Sequence, residues 1–308
     1  MEEQEGEKKK MKIDYCIKEF IVDCQIRSYT PRTIRSYKNR LGQFKDFCDG
    51  INVSDMDDVN PAVVKAYSKS FMDRGCKATT VNGALKVLRT FLNYCVEEEY
   101  SNFDLRKIKY LREEKPVIKA FNRKQVNMLL QACRGNTFLD IRDLCIITLW
   151  LETGIRCLES CHLKPEHIHD EYIEVVNGKN QKSRVISISP HLKKAMLRYD
   201  RVRDSYFYGK GVHPEDYYFL SYRGKMMTVA SMEFMLKKRG EGIEGVRVSP
   251  HTCRHTCAHA MLKAGVDIYT VSRMLGHENI QITSIYLRGL QDDEILKMAK
   301  QTSTLSCL

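Results

Sequence analysis

Between His251 and Tyr286 the chain reads HTCRHTCAHAMLKAGVDIYTVSRMLGHENIQITSIY. An ordinary helical tail is made of Lys, Glu and Leu; this one concentrates imidazole, guanidinium and phenol groups. His251 and Arg254 lie three apart and share a face of any helix that holds them. A second unit, Leu275-Gly276-His277, follows a turn signal, and Tyr286 comes nine positions after that histidine. In chemical terms the stretch is most of a phosphoryl-transfer site, so the rest of the chain must supply what it lacks.

With 308 residues the chain exceeds one typical domain, and two domains are expected, each able to bury a core. The balance of 50 Lys+Arg against 39 Asp+Glu, a formal charge of +11, favours a polyanionic partner without identifying it. The 12 cysteines are scattered through helix-like segments and lack the dense spacing of secreted disulfide scaffolds, which points to a reducing, cytoplasmic setting. Cys157 and Cys161, and Cys253 and Cys257, stand four apart beside histidines and invite a zinc reading. No short C-x-x-C knuckle accompanies them, so they are taken as small buried hydrophobes and no metal site is expected. The opening MEEQEGEKKK has no apolar core of a signal peptide, and no run approaches the ~20 apolar residues that span a bilayer.

Residues 1–10 contain almost nothing able to join a core and are expected to be a disordered tail. Residues 11–104 carry four helical patterns. Ile13, Cys16, Ile17, Phe20, Ile21 and Cys24 mark the first. Thr30-Pro31 caps the second, Asn60-Pro61 opens the third, and Val81, Leu85, Leu88, Phe91, Leu92 and Cys95 stripe the fourth. Between Cys24 and Lys45 there are Arg27, Arg32, Arg35, Lys38, Arg40 and Lys45 and no acid, which suits a phosphate-contacting face. Residues 105–119 read as a linker, and 120–290 as a second domain. In that domain Asn122 caps a helix, 138–151 form an apolar core helix ended by Gly154, and Arg156 follows where a new helix can start. Residues 171–188 switch to strand chemistry around Asn177-Gly178, giving a β-hairpin whose tip carries Lys179, Lys182 and Arg184, a candidate probe of a DNA groove. The expected fold is mainly α with a small β-hairpin: a helical domain followed by an α+β domain.

Breaking and rejoining a phosphodiester without a metal needs a nucleophile, cations on the non-bridging oxygens and an acid for the leaving 5′ oxygen. Arg156 and Arg254 suit a bidentate phosphate clamp. His251 and His277 can donate hydrogen bonds or move protons, Lys179 can protonate the leaving oxygen, and Tyr286 is the candidate nucleophile. His255 and His259 are taken as structural.

Four segments in order, T-G-I-R-C-L-E-S (153–160), G-K-N-Q-K-S-R (178–184), S-P-H-T-C-R-H-T (249–256) and L-G-H-E-N-I-Q-I-T-S-I-Y (275–286), resemble the boxes of the tyrosine recombinase (phage integrase) family. Residues 11–100 resemble its core-binding domain. The resemblance implies Arg156, Lys179, His251, Arg254 and His277 as the activating set, Tyr286 as nucleophile and Glu159 as a buttress, with Lys182 competing for the lysine role. It also implies a 3′-phosphotyrosyl intermediate, no cofactor, double-stranded DNA with inverted-repeat core sites as partner, a homotetramer on DNA, and a tail (291–308) that docks on a neighbouring subunit. Two other classes stay open: a type IB topoisomerase, which shares the chemistry, and a catalytically silent DNA-binding accessory protein.

Overall fold

The computed structural model describes residues 11–113, 119–176, 183–277 and 279–287. The two tails, Lys179 and Lys182 therefore lie outside the described residues. The chain divides into two compact units, Met1–Lys115 and Pro116–Leu308.

The first unit is built from four helices, α1 (Ile13–Ile26), α2 (Pro31–Gly50), α3 (Pro61–Asp73) and α4 (Ala78–Glu97). The starts of α2 and α3 are chemically specified. Thr30 accepts a hydrogen bond from the Thr33 amide, and Asn60 accepts from Ala62 and Val63, each ahead of a proline at the first helical position. The periodic apolar residues meet in one core, where the Phe20 ring lies 5.5 Å from Tyr37, 5.7 Å from Phe91 and 5.3 Å from Tyr94. Residues 105–113, within the stretch expected as linker, pack on this unit. Ile108 is buried in its core, and Asn82 both donates to the Leu111 carbonyl (2.9 Å) and accepts from its amide (2.8 Å). Arg32, Arg35 and Lys38 are exposed along α2. Arg27 differs: its Nε is 2.9 Å from the Asp23 carboxylate, an acid one residue outside the all-basic window.

The second unit opens with α5 (Arg123–Gln131) and α6 (Phe138–Thr153), both entered through reciprocal capping boxes, Asn122 with Gln125 and Thr137 with Asp140. The apolar sequence of α6 puts it at the centre of the core, with Trp150 fully buried. A short helix α7 (Cys157–Cys161) follows, then an antiparallel pair of strands, β1 (Tyr172–Val175) and β2 (Arg184–Ser187), in the register Tyr172↔Ser187 to Val175↔Arg184. Helices α8 (Pro190–Lys210) and α9 (Val229–Arg239) complete the core, and α10 (Pro250–Lys263), α11 (Ile268–Leu275) and α12 (Ile280–Leu287) carry the stretch that opened the sequence. Two glycines with positive φ end the helices that matter for the site, Gly154 (φ +62) after α6 and Gly276 (φ +68) after α11. A Cβ at Gly154 would sit 2.5 Å from Leu275 Cδ2, and one at Gly276 would sit 2.9 Å from Arg184 Nη1. Both the backbone conformation and the close approach therefore require glycine.

Among the described residues no helix is long and apolar enough to cross a membrane, and no group of His, Cys, Asp and Glu could hold a metal ion.

Candidate active site

Arg156 owes its position to the end of α6. The chain leaves Gly154 in the left-handed conformation, which places Arg156 at the N-cap of α7, and its amide donates to Glu159 Oε2 at 2.9 Å. Its guanidinium donates from Nη1 to Glu159 Oε1 (2.9 Å) and from Nη2 to the Gly276 carbonyl (2.7 Å). The core supports this turn directly: Trp150 Nε1 donates to Ser160 Oγ (2.9 Å), and that hydroxyl donates to the Arg156 carbonyl (3.1 Å).

Arg254, 4% exposed on α10, is held by the same two helix ends. It donates from Nη1 to the Gly154 carbonyl (2.6 Å) and from Nη2 to the Leu275 carbonyl (2.7 Å). The last carbonyls of a helix have no partner within it and carry its negative dipole, so they are suited to orient a guanidinium. The glycine before the first arginine and the glycine of Leu275-Gly276-His277 thus act together, since each presents a carbonyl to one of the two arginines.

Glu159, its side chain 8% exposed, takes a second guanidinium: Arg184 donates from Nη1 to Oε1 (2.9 Å) and from Nη2 to Oε2 (2.7 Å). Burial opposes the charge of Glu159, but Arg184 and Arg156 outweigh it and hold the carboxyl below its usual range. Arg184 is therefore not at the hairpin tip. It is paired on strand β2, its side chain 12% exposed, and its Nε reaches toward the Met274 carbonyl at 3.3 Å. Nothing in its place in the sequence separates it from the neighbouring basic residues; only the fold brings Glu159 to it.

Tyr286 lies on α12, 3% exposed, among Ala258, Leu262, Val271 and Leu275. Burial raises its phenol above the ordinary value, and Arg254 works in the opposite direction. Its Oη is 3.1 Å from His255 Nδ1. His277 lies parallel to the Tyr286 ring at 6.3 Å between centroids, and its Nδ1 is 2.7 Å from Thr283 Oγ1. Burial, reinforced by Arg254, Arg156 and Arg184, pushes the His277 imidazole down to about 4, so it is neutral at physiological pH. His251 is exposed one turn before His255, the two rings 6.4 Å apart. His255, which its sequence position marks only as structural, thus touches the phenol. The signal was available: His251, His255 and His259 repeat every four residues and share one face of α10.

Arg156, Arg254, His277 and Tyr286 are brought together, with His251 at the exposed edge. Three guanidiniums and one carboxylate leave a net positive site beside a phenol, which fits an anion such as a phosphodiester. The model of the phage integrase family matches residues 119–292, more than half of the chain, and that of the N-terminal SAM-like domain of phage integrases matches 17–102.

The chain belongs to the phage integrase family.

The family match spans every residue of the candidate site. Tyrosine recombinase XerC of Anoxybacillus flavithermus is 26% identical over 284 residues, covering 91% of this chain and 95% of its own. In fold, the chain is similar to the Tn1549 transposon integrase in complex with a circular intermediate DNA (TM-score 0.77, 17% identity, 95% of this chain and 100% of that one). It is also similar to a lambda integrase dimer bound to a COC′ core site (TM-score 0.71, 15% identity, 90% and 95%). Among the described residues this chain is mainly helical with one two-stranded sheet, and its fold is similar to that of these integrase structures.

Proposed function

We propose that this integrase-family protein is a site-specific DNA recombinase in which Tyr286 attacks a scissile phosphate held by Arg156 and Arg254. The reading is supported above all by one observation: a buried phenol lies beside an arginine whose guanidinium is fixed by two helix-end carbonyls. Attack transfers the 3′-phosphate to Tyr286 and releases a 5′-hydroxyl; a second 5′-hydroxyl reverses the step. One phosphoester replaces another each time, so the exchange needs no nucleotide energy source.

In this reading Arg156 and Arg254 spread the charge of the pentacoordinate phosphorus, and His251 and His277 donate hydrogen bonds to its oxygens. Lys179 protonates the leaving oxygen, with Lys182 as the competing lysine. Glu159 keeps Arg156 and Arg184 in place. Arg32, Arg35 and Lys38 supply phosphate contacts from the helical unit. The partner is double-stranded DNA with inverted-repeat core sites, bound by a homotetramer in the cytoplasm. Structures similar in fold hold DNA, one of them as a dimer, which lends support to a DNA partner and to more than one copy on it.

The test is a covalent trap. A duplex selected from a randomised pool for binding to the full chain is nicked one or two bases beyond the cleaved bond, so that the released fragment diffuses away. A protein–DNA adduct stable to denaturation, formed in the presence of a chelator, is expected. Binding without any adduct from every selected duplex would favour the silent accessory protein instead.

A further inference from the structure

The reaction leaves one proton unassigned. The Tyr286 phenol must lose it as the bond to phosphorus forms, and the two arginines can only donate hydrogen bonds. The Nδ1 of His277 is engaged by the Thr283 hydroxyl. The Tyr286 hydroxyl lies 3.1 Å from His255 Nδ1, a hydrogen bond that the imidazole accepts when its own proton is on Nε2. The rings of the pair lie 5.3 Å apart at 57°, which directs an edge nitrogen of the imidazole to the phenol.

We propose that His255 is a further catalytic residue, the base that takes the Tyr286 proton during cleavage and returns it during rejoining. The inference rests on the reading of Tyr286 as nucleophile. In the forward step the phenolic O–H bond breaks and its proton moves to His255 Nδ1. The phenolic electron pair forms the new P–O bond, and the P–O5′ bond breaks with its pair on the 5′ oxygen, which Lys179 protonates. Rejoining runs the same transfers backward.

The surroundings suit this use. His255 is faced on α10 by His251, Arg254 and His259, on α12 by Tyr286, and from the segment after α11 by His277. Burial, with His251, Arg254 and His259, pushes its imidazole down to about 4, so the free protein keeps it neutral with a lone pair to offer. A bound phosphodiester brings negative charge to the same pocket and raises the basicity of the imidazole when the proton has to move. The Nδ1 lone pair requires the tautomer protonated at Nε2.

The experiment follows single-turnover adduct formation by the full chain on the nicked duplex from pH 6 to 9, for the wild type, His255→Gln and His255→Ala. Glutamine can still hydrogen-bond the phenol but cannot take its proton. His255→Gln is expected to bind the duplex as the wild type does and to form adduct about 100-fold more slowly. Its rate should climb about tenfold per pH unit where the wild type is flat, because hydroxide must then remove the proton. Added imidazole should raise the rate of His255→Ala at least tenfold and leave the wild type unchanged. Wild-type rate and pH profile in His255→Gln would overturn the proposal, as would the absence of any imidazole effect on a His255→Ala protein that still binds DNA. An adduct that persists in Tyr286→Phe would sink the nucleophile assignment itself, whereas a Tyr286-dependent adduct formed at full rate by His255→Gln would sink only the role of His255.

Discussion

Replacing Arg254 by alanine is expected to lower the rate of covalent adduct formation about 1,000-fold while duplex binding changes by no more than a few-fold. The change removes a cation beside Tyr286 and a donor fork that, in the proposed reaction, faces the phosphate oxygens; loss of one such preorganised donor costs on the order of 100- to 1,000-fold. Burial and the neighbouring Arg156 push the Arg254 guanidinium down to about 10, so it remains charged at neutral pH. It also leaves the Gly154 and Leu275 carbonyls without their partner, so the ends of α6 and α11 lose the group that joins them. Lysine restores the charge but not the fork, and Arg254→Lys should recover less than a tenth of the lost rate. Single-turnover trapping on the nicked duplex measures the rate, and retention on the intact duplex measures binding. Adduct formation by Arg254→Ala within tenfold of wild type would show that the guanidinium is not at the reacting phosphate.

Glu159→Gln tests the support beneath the site. The carboxylate accepts two hydrogen bonds from Arg184, both side chains nearly buried, and two more from Arg156, one from its amide and one from its more exposed guanidinium. Taking one partner from a buried pair leaves the other charge without compensation, at a cost of about 3 kcal/mol. For a unit of this size that corresponds to a fall of about 6 to 12 °C in Tm. Because the carboxyl is held below its usual range in the folded protein, its contribution is fully present above the unfolded value of about 4.3. It is lost as pH falls through the lower folded value. Wild-type stability should therefore drop on acidification below about pH 4 more steeply than that of Glu159→Gln, measured by thermal melts across that range. Equal Tm values at pH 7 would mean that Arg184 and Arg156 find other partners.

The sequence carried many of the local instructions. Thr30-Pro31, Asn60-Pro61, Asn122, Thr137 and Gly154 act by hydrogen bonds and backbone conformations that span a few residues, and each starts or stops a helix where its chemistry says. The family resemblance identified most of the candidate site for a related reason, since glycine, arginine and histidine at those spacings have few other uses together. What stayed hidden depends on residues far apart in the chain. Arg184 reads as one more cation near a hairpin until the fold sets Glu159 against it, 25 positions away. Arg142 and Asp143 sit inside the apolar helix α6, where charges look out of place; they pair with each other, and the salt bridge of Arg239 with Asp143, 96 positions away, appears only when α9 packs nearby. Ile108 looked like linker because its neighbours are basic and aperiodic, yet its side chain closes the core of the helical unit. His255 lay next to the residue that drew attention, and spacing alone assigned it no partner.

The assignment of Tyr286 as nucleophile can be read from the adduct itself. Digesting the trapped complex with protease and nuclease, then locating the nucleotide-bearing peptide by mass spectrometry, distinguishes Tyr286 from the other tyrosines among the 16 in the chain. The modified peptide is expected to contain Tyr286, and Tyr286→Phe should give no adduct while binding the duplex as tightly as the wild type. A nucleotide attached to any other residue, or an adduct undiminished in Tyr286→Phe, would contradict the account.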